Sequence, residues 1–294
     1  MKRALLLLAL FVAGCGTDEG TSPKVSTRLV DPSGQPPLIN SFDRVADGRY
    51  LLTTNRGFFR IDPATGRVET IRSTVQTSQA SSPVGKYLEF SLTDQESVWL
   101  GSGHPDDSKA LPAYLGFMRS DDAGRTWHVL SRLGEADLHE IIQRGQRVYA
   151  FDAVTSALLI SVDGGRTYAE RPTPRGLVLS MAVNPGDPRR TVIATDDQVY
   201  RSSDDGRSWR PVAGVRGPRV AWPSPRNLLR TEADGPVMRS SDAGSTWKRV
   251  GTIKGGEPYK LVAFDDKRLA VALSDGAIVE SSDGGASWKS AFEP

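Results

Sequence analysis

Short apolar runs separated by turn residues recur along most of the chain. Between residues 136 and 172 four such runs follow one another, LHEIIQRG, RVYAFD, ALLISVD and TYAERP, and residues 176 to 212 repeat them as LVLSMAV, TVIAT, QVYRSS and SWRPVA. Runs of this kind, bounded by Gly, Pro, Asn and Asp, are typical of β-strands. The pattern predicts an all-β protein built from units of four strands.

Each unit also contains a polar turn of nearly constant composition. The pattern Ser-x-Asp-x-Gly-x-(Thr/Ser)-aromatic occurs five times at a nearly constant interval. Its central acids are Asp122, Asp163, Asp204, Asp242 and Asp283. The short carboxylate can accept hydrogen bonds from the backbone of its own turn, and the glycine can adopt a positive φ. The pattern therefore predicts a structural hairpin whose aromatic residue packs against the blade.

Four strands in each period of about 41 residues indicate the blade of a β-propeller. We expect six four-stranded antiparallel blades within residues 38–294. Their predicted bounds are 38–72, 84–133, 136–172, 176–212, 217–250 and 258–294. In the first blade the polar turn has decayed to DPATGR, and residues 73–83, TVQTSQASSPV, are interpreted as an inserted polar loop.

The first residues, MKRALLLLALFVAGC, combine a basic start, an apolar stretch and small residues before Cys15. This pattern predicts a secretory signal over residues 1–14. Val12 to Cys15 resembles the bacterial lipobox, which implies that Cys15 is lipidated. Lipid attachment would account for the only cysteine of the chain, and the alternative is an ordinary signal peptide with a coincidental cysteine. Residues 15–37 then form the lipidated Cys and a flexible, polar tether.

These features predict an exported bacterial lipoprotein of the cell envelope, at the outer membrane or the cell surface. The membrane would be a partner through the lipid anchor, and the propeller is expected to be monomeric. Removal of Lys2 and Arg3 with the signal leaves 35 basic and 35 acidic side chains. A neutral chain argues against nucleic acid as a partner, because phosphate binding needs a concentrated basic surface.

The connections of a four-stranded blade alternate between two faces. The loops between second and third strands share one face with the links between blades, and this face is where propellers usually bind ligands. The longest such loop is 102–114, SGHPDDSKALPAY, and the link 134–140, GEADLHE, adjoins it. Acidic residues in the other loops predict an acidic rim on this face.

Histidines and carboxylates converge in these two segments. The candidate ligand or metal residues are His104, Asp106, Asp107, Asp137 and His139. Imidazole and carboxylate together can bind a divalent transition metal, although the spacing matches no compact metal motif. The alternative is that the histidine at 139 caps a strand and the acids at 106 and 107 solvate a loop. No cofactor is certain, and a divalent metal at 104 and 139 is the candidate.

The polar turns are Asp boxes, which resemble the BNR repeats of sialidases and other β-propellers. Segment 101–140 resembles a group of bacterial secreted or lipid-anchored BNR proteins labelled glycosylhydrolase-like. The shared strings are SGHP at 102–105, Leu115-Gly116 and GEAD-x-H at 134–139. That label implies no particular reaction. The group usually carries further histidines in its first blade, and this chain has LINS and NRG there. Half of any histidine metal site is therefore missing.

The leading functional prediction is a non-catalytic module that binds a ligand, such as a glycan, or an envelope protein. A sialidase-like exo-glycosidase is an alternative, with Tyr87, Glu89 and Glu135 as candidate catalytic residues. It would also need an arginine cluster, and Arg60 in FRIDP falls where other blades hold arginines before their boxes. Two more hypotheses stay open: an assembly factor for a membrane complex, and a propeller whose function is to bind a metal.

Overall fold

The computed structural model describes residue 29 and residues 35–107 and 109–294. The described part consists of strands in six sheets, and each sheet uses one continuous stretch of chain. Blade one contains β1 (Ile39–Arg44), β2 (Tyr50–Thr54), β3 (Gly57–Asp62) and β4 (Arg67–Ile71). Blade two contains β5 (Ser73–Gln76), β6 (Ser81–Val84), β7 (Glu89–Leu92), β8 (Trp99–Ser102), β9 (Phe117–Ser120) and β10 (Thr126–Ser131). Blade three contains β11 (Leu138–Arg144), β12 (Arg147–Asp152), β13 (Ala157–Ser161) and β14 (Ala169–Pro172).

The remaining three blades follow the same order. Blade four contains β15 (Val178–Val183), β16 (Thr191–Thr195), β17 (Val199–Ser202) and β18 (Arg210–Pro211). Blade five contains β19 (Arg219–Ser224), β20 (Asn227–Thr231), β21 (Pro236–Ser240) and β22 (Lys248–Thr252). Blade six contains β23 (Pro258–Ala263), β24 (Leu269–Leu273), β25 (Ile278–Ser281) and β26 (Lys289–Phe292). The prediction of an all-β, six-bladed propeller with four-stranded antiparallel blades is confirmed.

Blade two differs from the prediction at its outer edge. The interpretation of residues 73–83 as a polar loop is wrong. They form most of the antiparallel hairpin β5–β6, and β5 pairs in parallel with the outermost strand β10. The hairpin extends this blade to six strands, because the backbone groups at the edge of β10 bond an added strand whatever the side chains of that strand are.

The burial of each strand follows from its place in the blade. The second strand, such as YLLTT in β2 or LAVAL in β24, is buried at every position. Neighbouring blades cover both of its faces, so it carries apolar residues without alternation. The outer strands are largely exposed or half-buried, as in β14. The core of the protein therefore lies between blades, around the second and third strands.

The ring closes by packing of blade one against blade six. Leu29, Phe42, Tyr50, Ala272 and Phe292 belong to one buried apolar cluster that spans this contact. The hydroxyl of Tyr50 donates a hydrogen bond to the Oε2 atom of a blade-six glutamate, at 2.7 Å. Side-chain packing, rather than a strand shared between the ends of the chain, holds these two blades together.

The five boxes have a common hydrogen-bond pattern. In each turn the serine hydroxyl donates to the aspartate Oδ1 at 2.7–2.8 Å. The backbone amide of the box glycine donates to the same serine oxygen at 2.8–3.0 Å. The amide of the following Thr or Ser donates to Oδ1 at 2.7–3.0 Å. Each carboxylate is thus occupied within its own turn.

The predicted signal, Cys15 and most of the tether lie outside the described residues. Within the tether, Leu29 is fully buried, and Arg56 donates hydrogen bonds to the carbonyl oxygens of Leu29 and Gln35. These contacts dock the end of the segment on blade one. In the part of the chain that the structure describes, no helix has the length and apolar character needed to cross a membrane.

Candidate functional site

The innermost strands of the six blades surround a cavity of about 580 Å³ on the propeller axis. These strands are β1, β7, β11, β15, β19 and β23. Their first residues lie at the face that carries the links between blades and the long loop 102–114, which we call the link face. The Asp boxes lie at the opposite face, which we call the box face.

Four ionisable side chains line the cavity near the link face and form what we call the channel cluster. They are Glu89 on β7, Glu140 on β11, Arg219 on β19 and Lys260 on β23. Lys260 Nζ lies 2.8 Å from Glu140 Oε1 and 3.9 Å from Glu89 Oε1. Glu140 Oε2 also accepts a hydrogen bond from the amide of Met181 at 3.0 Å. Four blades therefore contribute charges to one site.

The pKa values of the two carboxyl groups in the channel cluster shift in opposite directions. Burial raises the pKa of Glu89, and the more distant Lys260 offsets this only in part. Burial would also raise the pKa of Glu140, but the close Lys260 ammonium outweighs it and lowers that pKa. Burial would lower the pKa of Lys260, but the two carboxylates outweigh it and raise that pKa. Glu140 and Lys260 therefore form the ion pair. The cost of burying Glu89 is offset less, because Lys260 lies further from it.

Two polar atoms of the channel cluster lack partners. Glu89 Oε2 and Arg219 Nε are buried and have no hydrogen-bond partner among the described residues. The Arg219 guanidinium also lies 4.7 Å from the centre of the Tyr259 ring, and its Nη1 donates to the carbonyl of Leu179. The site thus offers one acceptor and one donor that the protein itself does not use.

Beside the channel mouth lies a histidine cluster, formed by His104, Asp137 and His139. His104 Nε2 is 3.5 Å from Asp137 Oδ1, and His139 Nε2 is 3.3 Å from Asp137 Oδ2. His104 Nδ1 lies 2.9 Å from the carbonyl oxygen of Ala113, which can only accept a hydrogen bond. Both ring nitrogens of His104 therefore face acceptors, which favours the doubly protonated imidazolium.

The pKa values in the histidine cluster shift accordingly. The hydrogen bond to Asp137 raises the pKa of His104, although burial opposes it. Burial would lower the pKa of His139, but Asp137 and Glu89 outweigh it and raise the pKa. Burial would raise the pKa of Asp137, but the two imidazoles outweigh it and hold that pKa far below its usual range. The cluster is a hydrogen-bonded charge network next to the channel cluster.

Backbone strain coincides with both clusters. Tyr87, which precedes the inner strand of blade two, has a φ of 55°, and Glu140 has a φ of 51°. Positive φ is costly for residues with large side chains and is often found at functional sites. The ring of Tyr87 contacts His104 edge-on, with centroids 6.4 Å apart, and the ring of Tyr114 lies 5.7 Å from that of His104. These aromatic rings form one wall of the site.

The structure separates the five residues that the sequence grouped as metal ligands. His104, Asp137 and His139 come together, but Asp106 Oδ1 accepts the amide of Lys86 at 3.1 Å. Asp107 Oδ1 likewise accepts the amide of a residue in its own loop, at 3.1 Å. Within the described part of the chain, no group of three His, Cys, Asp or Glu side chains is arranged to hold a metal ion. Asp106 thus binds the segment before β7 and Asp107 binds its own loop, and the histidine cluster contains a single carboxylate.

Arg60, the arginine of the FRIDP string compared with a sialidase signature, lies apart from the candidate catalytic residues. Tyr87 and Glu89 both lie at the channel mouth, and Glu135 is exposed on the rim. Arg60 lies on β3 opposite Glu69, and its guanidinium is near the charged turn of blade one at the box face. This arginine is therefore on the opposite face from Tyr87 and Glu89.

Of the four residues in the channel cluster, only Glu89 is predicted as a site residue from the sequence. Arg219 and Lys260 are absent from the predicted site residues, and Glu140 enters only as the end of a link. Glu140 and Lys260 lie on inner strands and are separated by three intervals of 40 residues, so the period of the repeat is a signal that could have related these two, whereas Arg219 falls outside that series. Asp43 lines the channel further from the link face, where burial raises the pKa of its carboxyl group to about 7.

The six sheets and their lined axial cavity define a six-bladed β-propeller. No family model matches the chain. It is 30% identical over 95 residues to the dispase autolysis-inducing protein of Streptomyces mobaraensis. That match covers 32% of this chain, which spans only about a quarter (25%) of the length of that relative.

Two solved structures share the fold. One is a catalytically inactive virginiamycin B lyase variant from Staphylococcus aureus with quinupristin, with a TM-score of 0.55, 10% identity, and coverage of 86% of this chain and 84% of that one. The other is the extracellular domain of a putative hybrid two-component system protein from B. thetaiotaomicron, with a TM-score of 0.55, 9% identity, and coverage of 89% of this chain and 34% of that one. At this level of identity the likeness establishes the fold.

Proposed function

We propose that the protein is a non-catalytic ligand-binding module that takes a small polar ligand at the link-face mouth of its channel. The proposal depends on two buried atoms, Glu89 Oε2 and Arg219 Nε, to which no described residue forms a hydrogen bond. Both residues line the cavity of about 580 Å³. A cavity of this size lies in the range of ordinary ligand pockets.

The physical reason is the cost of leaving these atoms unbonded. A buried polar group without a partner costs about 1–3 kcal/mol, and a bound ligand recovers that free energy. An acceptor and a donor in one site favour a ligand with hydroxyl or amide groups, which can donate and accept at the same time. Tyr87, exposed at 45%, would supply an aromatic contact at the entrance.

The N-terminal residues support a proposal for the location of this module. We propose an exported lipoprotein whose acyl group on Cys15 holds the propeller at a membrane of the cell envelope. The basic, apolar and small residues of positions 1–15 support this proposal. A propeller held near a membrane would present its channel mouth to a glycan or another envelope ligand. Mass spectrometry of the protein extracted from membranes tests the anchor, because lipidation adds the mass of the acyl groups at Cys15.

The binding proposal is tested with the purified full-length protein and two variants. Mono- and disaccharides and dipeptides are screened by thermal shift, and every hit is titrated by calorimetry. Glu89→Gln should weaken a genuine channel ligand at least about tenfold, because a charged hydrogen bond contributes about 1.5–3 kcal/mol. Glu135→Gln, a matched change on the exposed rim, should leave the affinity unchanged. A hit that binds the wild type and Glu89→Gln equally would place the ligand elsewhere and contradict the proposal.

A further inference from the structure

A second cavity lies in the cleft between blades four and five and opens at the box face. It has a volume of about 350 Å³ and is separate from the channel mouth. Three arginines of blade four line it, together with the buried Trp222 of blade five. The arginines are Arg190, Arg201 and Arg210. Arg201 precedes its box as arginines do in other blades, but Arg190 and Arg210 are not part of the Asp-box pattern.

Trp222 is the exception among the six tryptophans. The indole N–H groups of the other five donate hydrogen bonds to backbone carbonyl oxygens; they belong to Trp99, Trp127, Trp209, Trp247 and Trp288. Trp222 Nε1 is buried and has no partner in the described part of the chain, and the residue is only 4% exposed. An indole nitrogen can only donate, so this site lacks an acceptor.

A second buried group in the same cleft is also unpartnered. Thr191 lines the cavity, is fully buried, and its hydroxyl has no hydrogen-bond partner among the described residues. A hydroxyl can donate as the indole does. Thr191 on blade four and Trp222 on blade five both line this cavity, and each carries a buried donor that would gain free energy from an acceptor within hydrogen-bond distance.

The surrounding charge favours an anionic acceptor. Arg210 makes no side-chain hydrogen bond or ion pair with any described residue. Arg190 shares the single carboxylate of Asp187 with a neighbouring arginine. Arg201 donates to the hydroxyl of Ser245 across the cleft, which holds its guanidinium at the cavity.

The carboxylates that oppose an anion here are occupied. Asp204 and Asp242 also line the cavity. In each of them, Oδ1 accepts the serine hydroxyl and a backbone amide of its own box, and Oδ2 accepts the hydroxyl of the box Ser or Thr. Their oxygens are thereby engaged within the boxes, and the three lining arginines outnumber these two carboxylates.

We propose that this cleft is an oxyanion-binding site for a phosphate or phosphate-ester group, held by the indole N–H of Trp222, the hydroxyl of Thr191 and the guanidinium of Arg210. A phosphoryl group offers several acceptor oxygens at once, which suits donors that converge from two blades. Guanidinium groups bind such oxygens with charge-assisted hydrogen bonds. Trp222 also lines the channel cavity, but Thr191 and Arg210 do not, and the channel cluster at the link face contributes no residue to this cleft.

The test is a calorimetric titration of the full-length protein with inorganic phosphate and with phenyl phosphate, at constant ionic strength. We expect saturable 1:1 binding that weakens at least about tenfold in Arg210→Gln and in Trp222→Phe, which removes the N–H but keeps an aromatic ring. Arg175→Gln, an exposed arginine on the link face, serves as the matched control and should bind as the wild type does. Tighter binding of phenyl phosphate than of phosphate would identify an ester as the source, and the reverse would identify the free anion.

Thermal unfolding separates the site from a structural role of Trp222. Trp222→Phe removes an unpartnered buried donor but also loses ring volume from a packed apolar cluster, so its melting temperature without phosphate is the reference for the effect of the ligand. With phosphate, the melting temperature of the wild type should rise and that of Trp222→Phe should not. Arg210→Gln changes an exposed side chain and keeps the test valid if the phenylalanine variant does not fold. Absence of saturable binding, or equal affinity in Arg210→Gln and the wild type, would overturn the proposal.

Discussion

The two faces of the propeller use carboxylates in opposite ways. At the box face, five aspartates accept hydrogen bonds from their own turns, and those bonds hold the pKa of Asp204, for example, at about 2. At the link face, burial raises the pKa of Glu89, whose Oε2 has no partner among the described residues. The same chemical group is structural where its partners are local in sequence. At the link face the neighbouring charge, Lys260, comes from another blade and lies near only one oxygen of Glu89, so the other oxygen is available for binding.

This difference between the faces predicts how each responds to mutation. Changes at the box face should cost stability and leave ligand binding at the channel alone, because the box groups have bonds to lose within their own turns. Changes in the channel and at its mouth should act through charge, because they remove one partner of a buried ion pair or alter a titratable group. Four experiments test this division.

The largest effect is expected for a box glycine. Gly165 has a φ of 90°, and a Cβ there would overlap the ring of Phe117. Gly165→Ala should lower the free energy of unfolding by more than about 3 kcal/mol, since both the backbone and the core must shift. Gly145→Ala is the control, with a φ of 61° and no atom within 4 Å of its Cβ, and should cost about 1 kcal/mol. Urea unfolding measures the free energy of unfolding of both variants. Equal losses would contradict a structural role for the box turn.

The next effect compares two lysine–glutamate pairs. Lys260 and Glu140 are 19% and 15% exposed, so Lys260→Met should cost about 2 kcal/mol by leaving a buried carboxylate uncompensated. Adding Glu140→Gln should recover part of that loss. Lys289 pairs with Glu280 at 3.0 Å but is 72% exposed, and Lys289→Met should cost less than about 0.5 kcal/mol. The comparison fails if the exposed pair contributes as much as the channel pair in urea unfolding.

A smaller effect concerns the pH dependence of stability. Burial raises the pKa of Asp43 to about 7 in the folded protein, so the folded state holds a proton that the unfolded state has released above about pH 4. Stability from this group is therefore complete below about pH 4 and is lost as the pH rises to about 7. Between pH 5 and 7 the wild type should lose about 1 kcal/mol more than Asp43→Asn, since the channel partly hydrates the carboxyl group. Parallel pH profiles of the two proteins would contradict this.

The smallest effect is in the histidine cluster. Asp137→Asn should lower the imidazole pKa of both His104 and His139, because the carboxylate stabilises their protonated forms. In the wild type this stabilisation is complete below about pH 6.5 and is lost as the pH rises through the raised values. NMR titration of the ring protons measures the pKa of His104 and of His139 in the wild type and in the variant. The ring of His128 on β10 lies outside the cluster and serves as the reference signal. Unchanged titrations would show that Asp137 does not govern the cluster.

The fold could be predicted from the sequence because the repeat is local. Each blade is one continuous stretch, and its strands and turns follow from patterns within a single repeat. The prediction was wrong at residues 73–83, whose polar side chains give no sign of a strand. Backbone pairing with β10, much later in the chain, holds β5 in place. For Asp106 and Asp107 the sequence shows the side-chain type but not its neighbours: Oδ1 of each accepts a backbone amide, and the amide at Asp106 belongs to Lys86, outside its loop.

The blades, the box turns and the face on which long loops lie can be predicted from the chain, since all of these depend on neighbours in sequence. Which side chains form a site depends instead on contacts between blades. Lys260 on blade six meets Glu140 on blade three, because closure of the ring brings their inner strands to one channel. Trp222 and Thr191 likewise face one cleft because blades four and five stack. Long-range contacts of this kind depend on the angle between blades, which no local pattern specifies.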